Sequence, residues 1–333
     1  MDVADGVSIM VSPLLGSAAV LGKTILKRQD NSVVHSILHY STENILTENP
    51  DILTNSTSFE RYNRNIIPDA LALSCDIYAA CSKDPSKNKT FHTKSFSDGG
   101  PGWVYIEDYF HNMNSFSTLS NCFKQFLLSI RYLEYNDEKR SGLGSGVFFQ
   151  YIDSNNIRIA YVTKGTATRK DALTDLEQGL KAKTPQYQLS LKNAKLIKSA
   201  VQRHLSDKGH LYYFGHSLGG GLANYNAMGT NVPSITFNAA SVHPDNVSCY
   251  VDNYNKLINT KSMVGIYVEG EILSTKVSPF VGLPKNGNRY KVNLDPKYLT
   301  NGSDPINKHL LEPLCAKYGL SEMTWTNKIF IEI

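Results

Sequence analysis

The stretch HLYYFGHSLGGGLANYNAMG, residues 210–229, constrains the fold of this chain more than any other segment. An apolar and aromatic run leads directly into Gly215, and a row of small residues follows Ser217. This pattern predicts a buried strand, a sharp turn and then a helix. Similar apolar runs alternate with helical patterns through the second half of the chain. We therefore expect an α/β fold with a mostly parallel central sheet that is covered on both faces.

Other segments of the sequence predict the remaining strands and helices of this fold. The sequences SGLGSGVFFQYI and IRIAYVTKGT, joined by Asp153-Ser154-Asn155-Asn156, predict two strands with a tight polar turn. Helices are predicted for IPDALALSCDIYAAC, with a start near Pro68-Asp69, and for LSLKNAKLIKSAVQRHLSDKG. Strands are predicted for SITFNAA and MVGIYVEG. The segment CFKQFLLSIRYLEY is ambiguous between helix and strand.

The chain divides into an N-terminal extension, residues 1–60, and a main α/β domain, residues 61–333. The extension contains the uncharged run GVSIMVSPLLGSAAVLG. Because this run is short and contains Pro13, we expect it to be buried or to lie on the surface, with membrane contact as the alternative. Its start has no basic region, so no classical signal peptide is predicted, and we expect a cytoplasmic location in the producing cell.

Composition excludes several classes of function. The net charge is +4, and the basic residues are spread along the chain, which argues against nucleic-acid binding. The five cysteines are too few and too scattered for a disulfide framework or a zinc site, so we interpret them as small buried hydrophobic residues. We expect neither a metal nor a cofactor.

The pentapeptide Gly215-His216-Ser217-Leu218-Gly219 matches the pattern G-x-S-x-G. A nucleophilic serine in this pattern lies on a strained turn, where larger residues at Gly215 and Gly219 would collide. The Leu218 N–H, at the start of the helix, is placed to donate to a developing oxyanion. The alternative is a helix-capping serine in a glycine-rich corner.

A catalytic serine needs a histidine base and an orienting carboxylate, which follow it in the order acid and then histidine. Only His243 and His309 follow Ser217. We favour His309, because His243 comes too soon after the SITFNAA strand; a surface histidine is the alternative. For the acid we favour Glu271, which follows the turn at Gly270. The other candidates are Glu269, Asp295, Asp304, Asp245 and Asp252.

From about Ser141 onward the chain resembles the class 3 lipases, the fungal-lipase-like branch of the α/β-hydrolases. The resemblance is carried by FGHSLGGGLA, IAYVTKGTATRKDALTDL, SITFNAASV and YVEGEILS. It implies that Thr166, after Gly165, occupies the oxyanion-hole position. Two residues depart from the family pattern: Asn238 stands where the family usually has Gly, and Glu271 stands where the acid is usually Asp.

The resemblance implies a serine hydrolase that cleaves lipid esters, either phospholipids or acylglycerols, at a membrane or lipid interface. It also suggests a bacterial lipase effector or toxin delivered by a secretion machine, with an immunity or secretion partner left open. The alternatives are a catalytically degenerate lipid-binding protein and a short-chain esterase, thioesterase or acyltransferase. Residues 282–301, rich in Pro, Asn, Gly and Lys, are a candidate lid, with a connecting loop as the alternative.

Overall fold

The computed structural model describes residues 45–46, 66–81, 92–93, 101–111, 113, 118–137, 139–165, 184–243, 246, 262–273, 288–299 and 303–317. The strands in these ranges are β1 (Ile45–Leu46), β2 (His92–Thr93), β3 (Trp103–Tyr105), β4 (Asn136–Asp137), β5 (Leu143–Asp153), β6 (Asn156–Thr163), β7 (Gly209–His216), β8 (Ser234–Phe237), β9 (Met263–Val268) and β10 (Asn288–Val292). The α-helices are α1 (Ile67–Ala80), α2 (Ile106–His111), α3 (Asn121–Ile130), α4 (Pro185–His204), α5 (Leu218–Thr230), α6 (Pro305–His309) and α7 (Glu312–Lys317). Two 3₁₀ turns cover Ser206–Lys208 and Pro296–Tyr298.

The described strands form one mixed sheet in the order β1-β10-β9-β8-β7-β6-β5-β3-β2, and β4 also pairs with β5. Neighbours from β6 to β1 are parallel. The pairs on the other side of β6 are antiparallel. The α/β class agrees with the prediction, but a mostly parallel sheet describes only part of it. The tight turn between β5 and β6 is the physical reason, because so short a connection cannot join parallel strands.

Strand β7 lies inside the parallel part, between β6 and β8. Its end is in register with the ends of its neighbours: Thr163 of β6 pairs with Gly215, and His216 pairs with Phe237 of β8. Phe237 in turn pairs with Ile266 of β9. The carboxyl ends of four strands therefore meet at one edge, which is where α/β sheets usually bind their ligands.

Helices cover both faces of the sheet at β7. The Tyr213 hydroxyl donates to the Ala194 carbonyl oxygen on α4 (3.3 Å) and accepts from the Thr230 hydroxyl on α5 (3.1 Å). His216, three positions later on β7, contacts the Tyr78 hydroxyl of α1 (2.9 Å). Because side chains alternate along a strand, residues three apart point to opposite faces. Helix α1 therefore lies on one face, and α4 and α5 lie on the other.

Helix α3 resolves the ambiguous segment. It begins after Ser120, whose hydroxyl accepts the Phe123 N–H (3.4 Å) as an N-cap. Its buried side chains recur at positions i, i+3, i+4 and i+7, namely Phe123, Phe126, Leu127 and Ile130. The helix period therefore fits the burial of this segment, whereas an alternating strand pattern does not.

Several sequence predictions fall partly or wholly outside the described residues. These are the apolar run 6–22, the helix predicted in RKDALTDLEQGLKA and the oxyanion residue Thr166. Strand β1, which lies within the predicted N-terminal extension, pairs with β10. Part of the candidate lid, Asn288–Val292, is strand β10 of the sheet. Among the described helices, none has the length and hydropathy that a membrane span requires.

Candidate active site

Ser217 lies on the turn between the end of β7 and the first residue of α5. Its backbone angles are φ 57° and ψ −129°, outside the regions that a residue with a side chain usually adopts. Such a conformation costs about 1–3 kcal/mol and persists only where the surrounding structure enforces it. The Ser217 N–H donates to the Phe237 carbonyl oxygen (3.1 Å), and its carbonyl oxygen accepts the Ala240 N–H (2.9 Å). Backbone contacts with the neighbouring strand therefore hold the turn.

Gly215 and Gly219 permit this turn through close backbone approach. A Cβ atom at Gly215 would lie 2.5 Å from the Gly219 carbonyl carbon. A Cβ atom at Gly219 would lie 2.7 Å from the Lys164 carbonyl carbon and would also contact the Thr163 carbonyl oxygen. Since these neighbours are backbone atoms, they cannot move aside as a flexible side chain can. The start of α5 therefore packs directly against the end of β6.

His309 is the last residue of α6 and contacts both Ser217 and Glu271. Its Nε2 atom lies 2.9 Å from the Ser217 Oγ, and its Nδ1 atom lies 2.6 Å from the Glu271 Oε2. An Nδ1–H donated to the carboxylate leaves Nε2 free to accept the serine proton. The structure thus brings together three side chains that are far apart in sequence, in the order hydroxyl, imidazole and carboxylate.

Glu271 is fully buried and follows the turn after β9. The turn passes through Gly270, whose φ is +79°, a conformation that favours glycine. The same Oε2 atom that contacts His309 also accepts the Leu273 N–H (2.9 Å). A carboxylate held by two donors has a fixed position, so the imidazole that it contacts is oriented as well.

Three other acid candidates have different partners. Glu269 is half-exposed and pairs with the Lys291 ammonium (2.9 Å). Asp295 caps the 3₁₀ turn by accepting the Lys297 N–H (3.0 Å), and Asp304 caps α6. The remaining two candidates lie outside the described residues, namely Asp245 and Asp252. Of the acids that the structure describes at these positions, Glu271 is the one in contact with His309.

His216 is a second histidine at the site, and no role was predicted for it from the sequence. Its Nε2 atom lies 2.8 Å from the His309 carbonyl oxygen, so Nε2 carries a proton and donates it. Its Nδ1 atom, 2.9 Å from the Tyr78 hydroxyl, then accepts from the tyrosine. Burial, followed by the charge of His309, lowers the pKa of His216 to about 3. His216 is therefore neutral, in one tautomer, and supports the backbone of His309.

Asn238 supports the same carbonyl from the end of β8. Its side-chain N–H donates to the His309 carbonyl oxygen (2.9 Å), and its side-chain oxygen accepts the Val268 N–H (2.9 Å). The backbone φ of Asn238 is +43°. Asparagine tolerates this left-handed region better than most residues, and glycine occupies it freely. The backbone angle therefore explains why Asn can stand where the resembling lipases usually have Gly.

The two predicted oxyanion donors differ in how far they are described. Leu218 is the first residue of α5, and an N–H in the first turn of a helix has no acceptor within the helix. Thr166 itself lies outside the described residues. Gly165, just before it, packs closely on Ser217, because a Cβ atom there would lie 3.0 Å from the Ser217 Cβ. The chain that leads to Thr166 therefore passes beside Ser217.

Comparison with protein families indicates a lipid-degrading phospholipase. Residues 120–281 match the family model named Phospholipase-like, the Tle-like phospholipase domain. This segment resembles the type VI lipase effectors. The Tle-like segment contains Ser217 and Glu271, whereas His309 lies beyond its end. The family match supports a bacterial lipase or phospholipase effector that acts on lipids. Comparison with curated proteins found no significant match.

The described residues contain no group of three or more His, Cys, Asp or Glu side chains that is placed to hold a metal ion. Sequence reasoning missed three residues, Tyr78, His216 and Asn238. Tyr78 hydrogen-bonds to the His216 side chain, and the other two donate to the His309 backbone carbonyl. His216 had a local signal, its place beside Ser217. Tyr78 had none, because 138 residues separate it from His216.

Proposed function

We propose that this chain is a serine ester hydrolase of the α/β-hydrolase type that cleaves carboxylic esters of phospholipids. The observation that carries the proposal is the continuous contact from the Ser217 Oγ through His309 to Glu271, with distances of 2.9 and 2.6 Å. The match to a phospholipase domain favours phospholipids over acylglycerols as substrates.

The proposed reaction proceeds through an acyl-enzyme. Ser217 Oγ attacks the ester carbonyl carbon while His309 Nε2 takes its proton, and the Glu271 carboxylate stabilises the imidazolium. His309 then gives the proton to the leaving alcohol. Water, activated by the same imidazole, hydrolyses the acyl-enzyme and releases a fatty acid. In this scheme Glu271 keeps His309 in the tautomer that leaves Nε2 unprotonated before attack.

The oxyanion of each tetrahedral intermediate needs donors in place beforehand. We assign this role to the Leu218 N–H and to Thr166, through its N–H and hydroxyl. Removal of one such donor typically lowers kcat by about 100- to 1000-fold. The strained turn at Ser217 supports the assignment, because it presents the hydroxyl and the helix amide at the same edge of the sheet.

The contact between Glu271 and His309 bears on the competing functions. A degenerate, lipid-binding protein would be favoured by an acid far from the imidazole, and the 2.6 Å distance favours turnover instead. Short-chain esterases, thioesterases and acyltransferases share this arrangement of residues. Delivery into a target cell as a toxin, opposed by an immunity partner, accords with the resemblance to type VI lipase effectors.

The test compares wild type with Ser217→Ala on vesicles that contain phosphatidylethanolamine, phosphatidylglycerol and triacylglycerol. Released acyl chains and lysolipids are identified by mass spectrometry. We expect wild type to release acyl chains from the phospholipids and Ser217→Ala to release none. Ser129→Ala is the matched control, because the Ser129 hydroxyl donates to the Phe126 carbonyl oxygen on α3 (2.6 Å), away from the site.

Each other outcome contradicts a specific part of the proposal. Equal release by wild type and Ser217→Ala would exclude Ser217 as the nucleophile. Hydrolysis of a soluble short-chain ester with no release from vesicles would indicate an esterase. Release from triacylglycerol alone would indicate an acylglycerol lipase. No release from any substrate by a folded wild type would favour the lipid-binding alternative.

A further inference from the structure

Two buried cysteines from opposite ends of the described chain are in contact. Cys75 lies on α1 and Cys315 lies on α7, 240 residues later, and their sulfur atoms are 3.3 Å apart. Cys75 is fully buried, and Cys315 is 5% exposed. By contrast, Cys122 is exposed, so the expectation that the cysteines are small buried residues is wrong for this one.

The two sulfur atoms need to move only a short distance to form a covalent bond. A disulfide bond measures about 2.05 Å, so the atoms need to approach by only about 1.3 Å. In the reduced protein the hydrogen bond with Cys315, and then burial, raise the pKa of the Cys75 thiol well above its ordinary value. The Cys75 thiol therefore stays protonated at rest, and bond formation needs an oxidant.

The pair joins the two segments that support His309. Cys75 lies one turn of α1 before Tyr78, whose hydroxyl contacts His216 (2.9 Å). Cys315 lies in α7, directly after α6, which ends at His309. The six-residue helix α7 also packs on the core through buried apolar side chains such as Leu314, and its Lys317 ammonium donates to the Asn293 carbonyl oxygen (3.2 Å). A covalent bond between the sulfurs would therefore tie the segment that carries the imidazole to the helix beneath β7.

We propose that Cys75 and Cys315 form an intrachain disulfide on exposure to a disulfide oxidant, and that this bond fixes the His309 segment against α1. The thiolate of Cys315, the more exposed of the two, attacks one sulfur of the oxidant and releases its first thiol. The Cys75 thiolate then attacks the Cys315 sulfur and releases the second thiol. Two protein thiols are thus oxidised by two electrons, and the oxidant is reduced to two thiols that take up the two protons.

The bond itself is tested without any activity measurement. The full chain, purified with reductant, is incubated with oxidised glutathione at pH about 8, where thiols react more readily. It is then denatured with an alkylating reagent, digested without reduction and analysed by mass spectrometry. We expect a peptide pair linked through Cys75 and Cys315, with two hydrogen atoms lost and with the other three cysteines, Cys81, Cys122 and Cys249, alkylated.

Three variants make the assignment specific. Cys75→Ala and Cys315→Ala should each lose the linked peptide, whereas the exposed-site control Cys122→Ser should retain it. Thermal unfolding gives a second readout: the oxidised wild type should have a Tm about 5 °C above that of the reduced protein. Cys315→Ala should show no such difference between oxidised and reduced samples.

Full alkylation of both cysteines after oxidation, or links that involve the other cysteines or a second chain, would overturn the proposal. The role of the bond at His309 rests on the proposed function. It is measured as phospholipid hydrolysis after mild heating, and we expect the oxidised protein to retain more of this activity than the reduced protein. A linked peptide without hydrolysis in either state would leave the disulfide established and refute the proposed function. Hydrolysis that survives heating equally in both states would refute the role at His309.

Discussion

The two halves of the candidate site are built in different ways. The turn that carries Ser217 is continuous with β7 and α5, and backbone contacts with adjacent strands hold it in place. The segment that carries His309 consists of two short helices, α6 and α7, whose position depends on side chains from distant parts of the chain. Among these, His216 and Asn238 both donate to the His309 carbonyl oxygen.

Because of this difference, mutations in the two halves of the site should have different consequences. Changes beside Ser217 meet backbone atoms that cannot move, so they alter the fold of the turn itself. Changes that affect the His309 segment remove individual donors or charges and leave the rest of the sheet in place. Catalysis depends strongly on small displacements, so the second kind of change should reduce the rate without unfolding the protein.

Glu271→Gln should have the largest effect, a fall in kcat of about 1000-fold or more. Glutamine preserves the shape and can still accept the Leu273 N–H, but a neutral amide cannot stabilise an imidazolium and can hold His309 in the wrong tautomer. Initial rates of acyl release from phosphatidylglycerol vesicles measure the change. Glu269→Gln, which removes the exposed pair with Lys291, is the control and should stay within about twofold of wild type. Equal effects of the two substitutions would refute the assignment of Glu271.

Removal of the two donors to the His309 carbonyl should reduce kcat less. We expect His216→Leu and Asn238→Gly each to lower kcat by about 10- to 100-fold, with little change in KM, because the imidazole is less well positioned. Glycine at position 238 accommodates the left-handed backbone, so this change removes the amide without adding strain.

The double variant sharpens this test. In each single variant the remaining donor still satisfies the His309 carbonyl oxygen. The fold-decrease in kcat of the double variant, His216→Leu with Asn238→Gly, should therefore exceed the product of the two single fold-decreases. His216→Gln, which restores a side-chain N–H, should recover part of the rate. A fold-decrease equal to the product of the single effects, or a change in KM with kcat unaltered, would contradict a positioning role.

The pH dependence of stability should differ between wild type and His216→Leu. In the folded protein the pKa of His216 is about 3, and in the unfolded chain it is about 6.5. Below pH about 6.5 the unfolded chain binds a proton that the folded protein does not bind until pH about 3, so acidification through this window favours unfolding, by up to about 1.4 kcal/mol per pH unit. Urea unfolding at several pH values between about 6.5 and 4 measures the free energy of unfolding.

His216→Leu lacks this contribution, so its free energy of unfolding should fall less steeply as the pH decreases. Asp76 acts in the opposite direction, because burial raises its pKa and its stabilising contribution is lost as the pH rises. It is present in both proteins and cancels in the difference between them. Parallel pH profiles for the two proteins would show that His216 is not held neutral.

Gly270→Ala should have the smallest effect, a loss of about 1–2 kcal/mol in the free energy of unfolding, because its φ of +79° is strained for alanine. The added Cβ would approach only the flexible Lys308 ammonium, at 3.1 Å. Gly142→Ala is the matched control, with a φ of +80° in the turn before β5. Both should lose similar stability, but only Gly270→Ala should also reduce kcat, since Gly270 precedes Glu271. Equal kcat values would show that the turn does not position the acid.

The strand, turn and helix around Ser217 could be predicted from the sequence, for a physical reason. A strand, a strained turn and a helix of small residues are consecutive in sequence, so their pattern records the local structure. The same argument identified the hairpin of β5 and β6 and helix α1. It did not reveal that β3, β2 and β4 extend the antiparallel part of the sheet beyond β5, because strand order depends on partners that periodicity does not encode. The sequence favoured Glu271 over Glu269 by its place after Gly270, and the structure adds that Glu269 pairs with Lys291.

The sequence by itself determined the turn at Ser217, because glycines at 215 and 219 are the local condition for that backbone. It also limited the base to two histidines by their order along the chain. The tertiary structure alone decided what holds His309 in place. The donors His216 and Asn238, the Tyr78 hydroxyl and the contact between Cys75 and Cys315 join residues across as many as 240 positions. Contacts between such distant residues leave no periodic signal, since they arise only when the sheet brings separate segments to one edge.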